Sequence, residues 1–143
     1  MSAFAVARAL ACALLIGASG TAHAQMSGDS LATLSTALVA WSASDFDSHG
    51  PRPEQVRNVH LRYADRDDGG RIYMLCGEFL PARRTKPDWV RFATIRTDPY
   101  EQWIGGQAEA LCDRALPLPG RVGDMSSALD ARLKSNAEST GRP

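Results

Sequence analysis

Histidine and cysteine are scarce in this sequence, with three of each in 143 residues. That leaves little for a metal centre or an imidazole base. Neither a Cys-x-x-Cys pair nor a His-Glu-x-x-His occurs. The Gly-x-Ser-x-Gly of a nucleophile elbow and a glycine-rich phosphate loop are missing as well. So is an excess of charge of either sign. Sixteen basic residues balance sixteen acidic ones, which gives no support to a general nucleic-acid binder. Arginine rather than lysine supplies nearly all of the cations. After residue 24 no apolar run approaches the roughly 20 residues that a membrane helix needs.

What is present begins with an address. Arg8 gives a short basic start, residues 9–18 an apolar core, and Ala22-His23-Ala24 an Ala-x-Ala cleavage site. Residues 1–24 are read as a secretory signal peptide cut after Ala24, which makes Gln25 the new N-terminus and the protein periplasmic or secreted. Removing them takes away Arg8 and no acid, leaving a net charge of −1 on 119 residues, enough for one modest domain. Cys12 leaves with the leader, so Cys76 and Cys112 remain as a pair in an oxidising compartment. A single Cys76–Cys112 disulfide is expected. In the chain-entropy picture it contributes roughly 3–4 kcal/mol.

The chain is organised around Ile72-Tyr73-Met74-Leu75-Cys76-Gly77-Glu78-Phe79. Turn residues bound this apolar run on both sides, so it reads as a central strand. Alternation puts Ile72, Met74, Cys76 and Glu78 on one face and Tyr73, Leu75 and Phe79 on the other, with Gly77 between them. Both faces call for cover, and Gly77 is expected to leave room for a disulfide partner. Residues 27–44 read as an amphipathic helix, capped by Asp29 or Ser30, with Leu31, Leu34, Leu38 and Trp41 along its apolar stripe. Its other face is uncharged Ser and Thr, suited to a sheet or to a partner helix. Residues 45–53 form a Pro- and Gly-rich loop. Residues 56–65 form a strand with Val59, Leu61 and Tyr63 inward and Asn58, His60 and Arg62 outward. Asp68-Gly69 turns the chain into the central strand. A third strand over 89–97, a turn at Asp98-Pro99 and a short fourth strand over 101–104 follow. Residues 107–116 form a helical segment carrying Cys112. A weak helix over 124–134, with Met125, Leu129 and Leu133 on one side, precedes nine residues expected to be disordered.

The predicted fold is therefore α+β: an N-terminal amphipathic helix packed on a four-stranded antiparallel meander, with a disulfide-tied C-terminal segment. The domain runs over residues 25–119, and residues 120–143 form a polar, largely flexible tail. The helix-then-meander order resembles cystatin-like architectures, an analogy that carries no function. The run Met74-Leu75-Cys76-Gly77-Glu78-Phe79, a strand ending Phe92-Ala93, and a Trp103 strand before Cys112 resemble a loose group of small exported bacterial proteins of unknown function. The resemblance spans about residues 56–114. It implies export and the disulfide, and it brings no catalytic residue.

Candidate chemistry is thin. Asp65, Asp67 and Gly70 mimic the start of a calcium loop, but Cys76 stands where a bidentate Glu is required, so this is a hairpin turn. His49 and His60 read as solvated. Glu78, the one acid in the apolar run, needs an arginine partner, with Arg91 or Arg62 in reach on adjacent strands. A cell-envelope hydrolase pairing Glu78 with Asp98 or Glu101 is the alternative reading. Arg83, Arg84 and Lys86, followed by Trp89, are the candidate contact for an anionic partner: an envelope protein, a glycan or a lipid. No catalytic, metal or cofactor residue is assigned. The favoured function is a non-enzymatic exported protein acting by contact, as an accessory factor, inhibitor or adaptor.

Overall fold

The computed structural model describes residues 28–82, 88–118 and 123–141. The leader over 1–24 and the cations Arg83, Arg84 and Lys86 lie outside the described residues. The order is α1 (Gly28–Ser48), β1 (Pro53–Asp65), β2 (Arg71–Pro81), β3 (Val90–Ile95), β4 (Glu101–Ile104), α2 (Gly106–Arg114), β5 (Leu116–Pro117) and α3 (Ser126–Ser139). The protein is α+β, with one antiparallel sheet in the order β4-β3-β2-β1-β5. The expected meander is there. A fifth strand of two residues, β5, adds to it by pairing with Arg62 and Tyr63 of β1.

β2 sits in the middle, and its two faces are covered by different layers, as its sequence requires. On one face Leu75 and Phe79 join Val59, Leu61 and Phe92 under α1 and α3. Phe46, Phe79 and Phe92 meet in tilted and edge-on pairs with centroids 4.9 to 6.3 Å apart, the geometry that aromatic quadrupoles favour. On the other face Met74 and Cys76 pack with Ala93, Ile95, Ala108 and Cys112 beneath α2. Cys76 and Cys112 are joined there, with Cα atoms 5.9 Å apart and both residues buried.

Gly77 does not serve the disulfide. A Cβ at this position would come within 2.6 Å of the Phe92 ring and 2.9 Å of Val59, both on the α1 face. The missing side chain makes room for Phe92. α1 also runs four residues past its expected end. Leu34, Leu38, Ser42 and Phe46 recur at every fourth position and are all buried, so Phe46 draws the last turn into the core. Leu31 and Trp41 are only partly buried, and Trp41 stacks on Tyr100 at 5.3 Å.

The C-terminal segment is not a tail. α3 continues to Ser139, through residues expected to be disordered, and Leu129 is fully buried against α1 and the sheet. Met125 and Leu133 flank it, half-buried. Its start is fastened to β1. The Met125 N–H donates to Val59 O at 2.7 Å, and the Val59 N–H donates to Ser126 Oγ at 3.2 Å. Further along, Asn136 Nδ2 donates to Asp47 on α1 at 2.8 Å. The uncharged flank of α1 thus has both a sheet beneath it and a helix beside it.

Candidate functional site

α2 roofs only part of the second sheet face. Beyond Cys76 the same face continues through Glu78 of β2, Arg57 of β1, Arg91 of β3 and Trp89 just before β3. The pairing Arg57↔Glu78↔Arg91 sets three charged residues side by side across three strands. Arg57 Nε donates to Glu78 Oε2 at 2.7 Å, and Asn58 Nδ2 donates to the same oxygen at 3.1 Å. Arg91 Nε lies 3.5 Å from Oε1, and its Nη2 is 3.9 Å from Asp113 at the end of α2. The Arg57 guanidinium also lies over the Trp89 ring, 3.9 Å from its centroid, a cation–π stack.

Strict alternation cannot produce this cluster. Counting back from Leu61 and Val59, Arg57 would fall on the α1 face. A β-bulge between Arg57 and His60 inserts one extra residue into β1 and reverses the phase. Asn58 takes φ 53° at that bulge, a left-handed conformation asparagine tolerates better than most residues. Arg57 and Asn58 therefore both deliver donors to Glu78. Of the two partners expected for Glu78, Arg91 is present and Arg62 is not. Arg62 Nη1 donates instead to Ala115 O at 3.0 Å. The signal that could have exposed Arg57 is an Asn inside a strand pattern, a residue depleted from strands.

The Glu78 side chain is only 17 % exposed. Desolvation pushes its carboxyl up, but hydrogen bonds from Arg57 and Asn58, with the charges of Arg57 and Arg91, outweigh this and hold it below the usual carboxylate range. It is an ionised anchor at neutral pH, not a proton donor. Its suggested acid partners are far away. Glu101 faces Ile95, four residues along β3 from Arg91, which is about 13 Å of strand. Asp98 lies beyond the end of β3. Paired glycosidase carboxylates need about 5 to 9.5 Å.

The histidines are peripheral. His49 is 77 % exposed and lies 3.4 Å from Asp45, and His60 lies 3.9 Å from Asp124. The Asp65–Gly70 segment is a hairpin turn, with Gly69 at φ 82° and the Gly70 N–H on Asp68 Oδ1 at 2.9 Å. Among the described residues no group of His, Cys, Asp and Glu could hold a metal, and no helix is long and apolar enough to cross a membrane. A second surface feature is an open groove of about 390 Å³ between α1 and α3, floored by Val39, Ala40, Met125, Ala128 and Ala131. No family model, curated protein or solved structure matches this chain.

Proposed function

We propose that this is an exported, non-enzymatic protein of the cell envelope that acts by contact, and that its binding face is the open sheet surface carrying Arg57, Arg91 and Trp89. The accessory, inhibitor and adaptor roles all fit such a surface. The observation that carries the reading is how the two guanidiniums are held. Among the described residues Arg57 reaches Glu78 through Nε, and Arg91 does the same. The contacts to Glu78 run through Nε, which leaves the terminal nitrogens for a second anion, Arg91 Nη2 being shared with Asp113 at 3.9 Å, and bidentate anion recognition is what guanidinium forks do well. Trp89 stiffens Arg57 from below. The sequence adds Arg83, Arg84 and Lys86 to the connection between β2 and β3. The partner presents carboxylate, phosphate or sulfate groups, on an acidic protein face, a glycan or a lipid.

Export rests on residues 1–24 and is supported by the buried disulfide, which suits an oxidising compartment. Cleavage after Ala24 would show in N-terminal sequencing of the periplasmic or secreted fraction. The hydrolase reading is disfavoured because Glu78 is tied up as an anion and Asp98 and Glu101 lie far from it. The test of the binding face is retention on a sulfated polysaccharide matrix, on phosphatidylglycerol vesicles and on an acidic polypeptide, for wild type and for Arg57→Gln/Arg91→Gln. Loss of retention on at least one support, together with salt-sensitive wild-type binding, is expected. Equal retention of both proteins on every support would refute the assignment.

A further inference from the structure

The two edges of the sheet are finished in different ways. On the β1 side, β5 covers Arg62 and Tyr63 and ends in Pro117, which has no N–H to offer. Past β5, the lead into α3 takes both backbone groups of Val59. On the other side, no strand among the described residues pairs with the outer edge of β4. The Gly105 N–H donates to Arg91 O at 2.9 Å, which sets the phase of the antiparallel ladder. Trp103 and Glu101 bond inward, opposite Ala93 and Ile95, while Gln102 and Ile104 turn N–H and C=O outward. The Arg96 N–H to Tyr73 O bond on the far side of β3 requires the same phase. Among the described residues no protein group meets those four outward backbone groups. The strand itself, Glu101–Ile104, contains no lysine, arginine or proline, and its edge is limited only by its four-residue length and by Glu101 at its start.

We propose that β4 pairs with β4 of a second copy of this chain, antiparallel, about a two-fold axis through Trp103. In this register Gln102 lies opposite Ile104 of the second copy, and Ile104 opposite its Gln102. Both are hydrogen-bonded pairs, so the four outward groups of each copy are satisfied by four bonds across the junction. Trp103 faces its counterpart in the non-hydrogen-bonded position, where Cα atoms approach to about 4.5 Å. Glu101 falls opposite Gly105, so like charges do not meet. Because the β5 edge is blocked by Pro117 and by α3, the pairing closes at two and cannot run on into a fibre. A four-residue junction is small, so the dimer is weak and forms with rising concentration. This inference is independent of the anion-binding reading, whose residues lie on the sheet face and not at its β4 edge.

The test is sedimentation equilibrium of the purified protein from about 5 µM to about 1 mM. Mass should rise to twice that of the chain and stop there. Trp103→Glu and Trp103→Lys should each stay monomeric, and mixing them should restore the doubled mass. Trp103→Cys should form a disulfide-linked dimer in air, because the two-fold brings the new thiols within bridging distance. Gln102→Cys, on the opposite sheet face, should not. Monomeric wild type at the highest concentration would overturn the proposal. So would growth beyond two copies, or a Trp103→Glu protein that dimerises as wild type does. Saturable binding of an extended peptide at β4 by a protein that never self-associates would overturn it in favour of strand addition by a different partner.

Discussion

Glu78→Gln keeps the shape of the side chain and removes its charge, so it isolates what the Arg57–Glu78–Arg91 arrangement contributes. The carboxylate accepts from Arg57 at 2.7 Å and Asn58 at 3.1 Å, with Arg91 Nε at 3.5 Å. A hydrogen bond to a charged group contributes about 1.5–3 kcal/mol where it is shielded. Here the arginine side chains are 47 % and 38 % exposed, so solvent screens their share. The expected loss is about 1–2 kcal/mol at pH 7, or roughly 4–8 °C in Tm for a domain of this size. The pH dependence fixes the cause. Glu78 has a folded-state pKa below its unfolded value, so its contribution is complete above the unfolded pKa and fades as pH falls through the folded one. Urea unfolding of wild type and Glu78→Gln should therefore differ at pH 7, and the difference should shrink as pH falls below the ordinary carboxylate range. A difference at pH 7 below about 0.3 kcal/mol, or one that persists unchanged at low pH, would refute the electrostatic account.

Two more predictions test the packing around this cluster. Gly77→Ala forces a methyl to within 2.6 Å of Phe92 and 2.9 Å of Val59, so denaturant unfolding should show a loss of about 1–3 kcal/mol with the m-value unchanged. At the bulge, Asn58→Gly keeps the left-handed backbone and loses one hydrogen bond, whereas Asn58→Val also meets steric strain at φ 53°. Val should therefore be about 1–2 kcal/mol less stable than Gly at this position by the same measurement, and equal stability would show that the bulge relaxes.

The architecture was legible where burial follows period. Leu75 and Phe79 opposite Met74 and Cys76, and Phe92 opposite Ala93, fell on the faces that alternation assigns. With Cys12 read as part of a leader, Cys76 and Cys112 could pair only with each other, so the disulfide followed from counting. Three features were not legible, each for a physical reason. The last turn of α1 was hidden because Asp45, Asp47 and Ser48 look like loop, while the one residue that decides, Phe46, finds its partners Phe79 and Phe92 more than 30 positions away. α3 has few apolar residues and gains its order by docking on α1 and β1, which local composition cannot report. The site depended on a one-residue bulge in β1 that alternation carried back from Val59 and Leu61 cannot foresee, so Arg57 was missed and Arg62 was offered in its place.

The position of the polar cluster follows from the disulfide and a length. α2 has nine residues and spans about 13 Å, whereas the eleven residues of β2 extend about 36 Å. A helix that short cannot roof such a strand, whatever its direction across the sheet. The Cys76–Cys112 bond fixes which part it covers, and Met74, Ala93 and Ile95 are buried beneath it. Two residues beyond Cys76 on the same face the apolar layer beneath α2 has ended. Glu78 occupies that position, and its charge is tolerable at 17 % exposure because the bulge turns Arg57 and Asn58 towards it. The acid that interrupts the most apolar run in the chain thus marks where the stapled helix stops and the polar part of the sheet face begins.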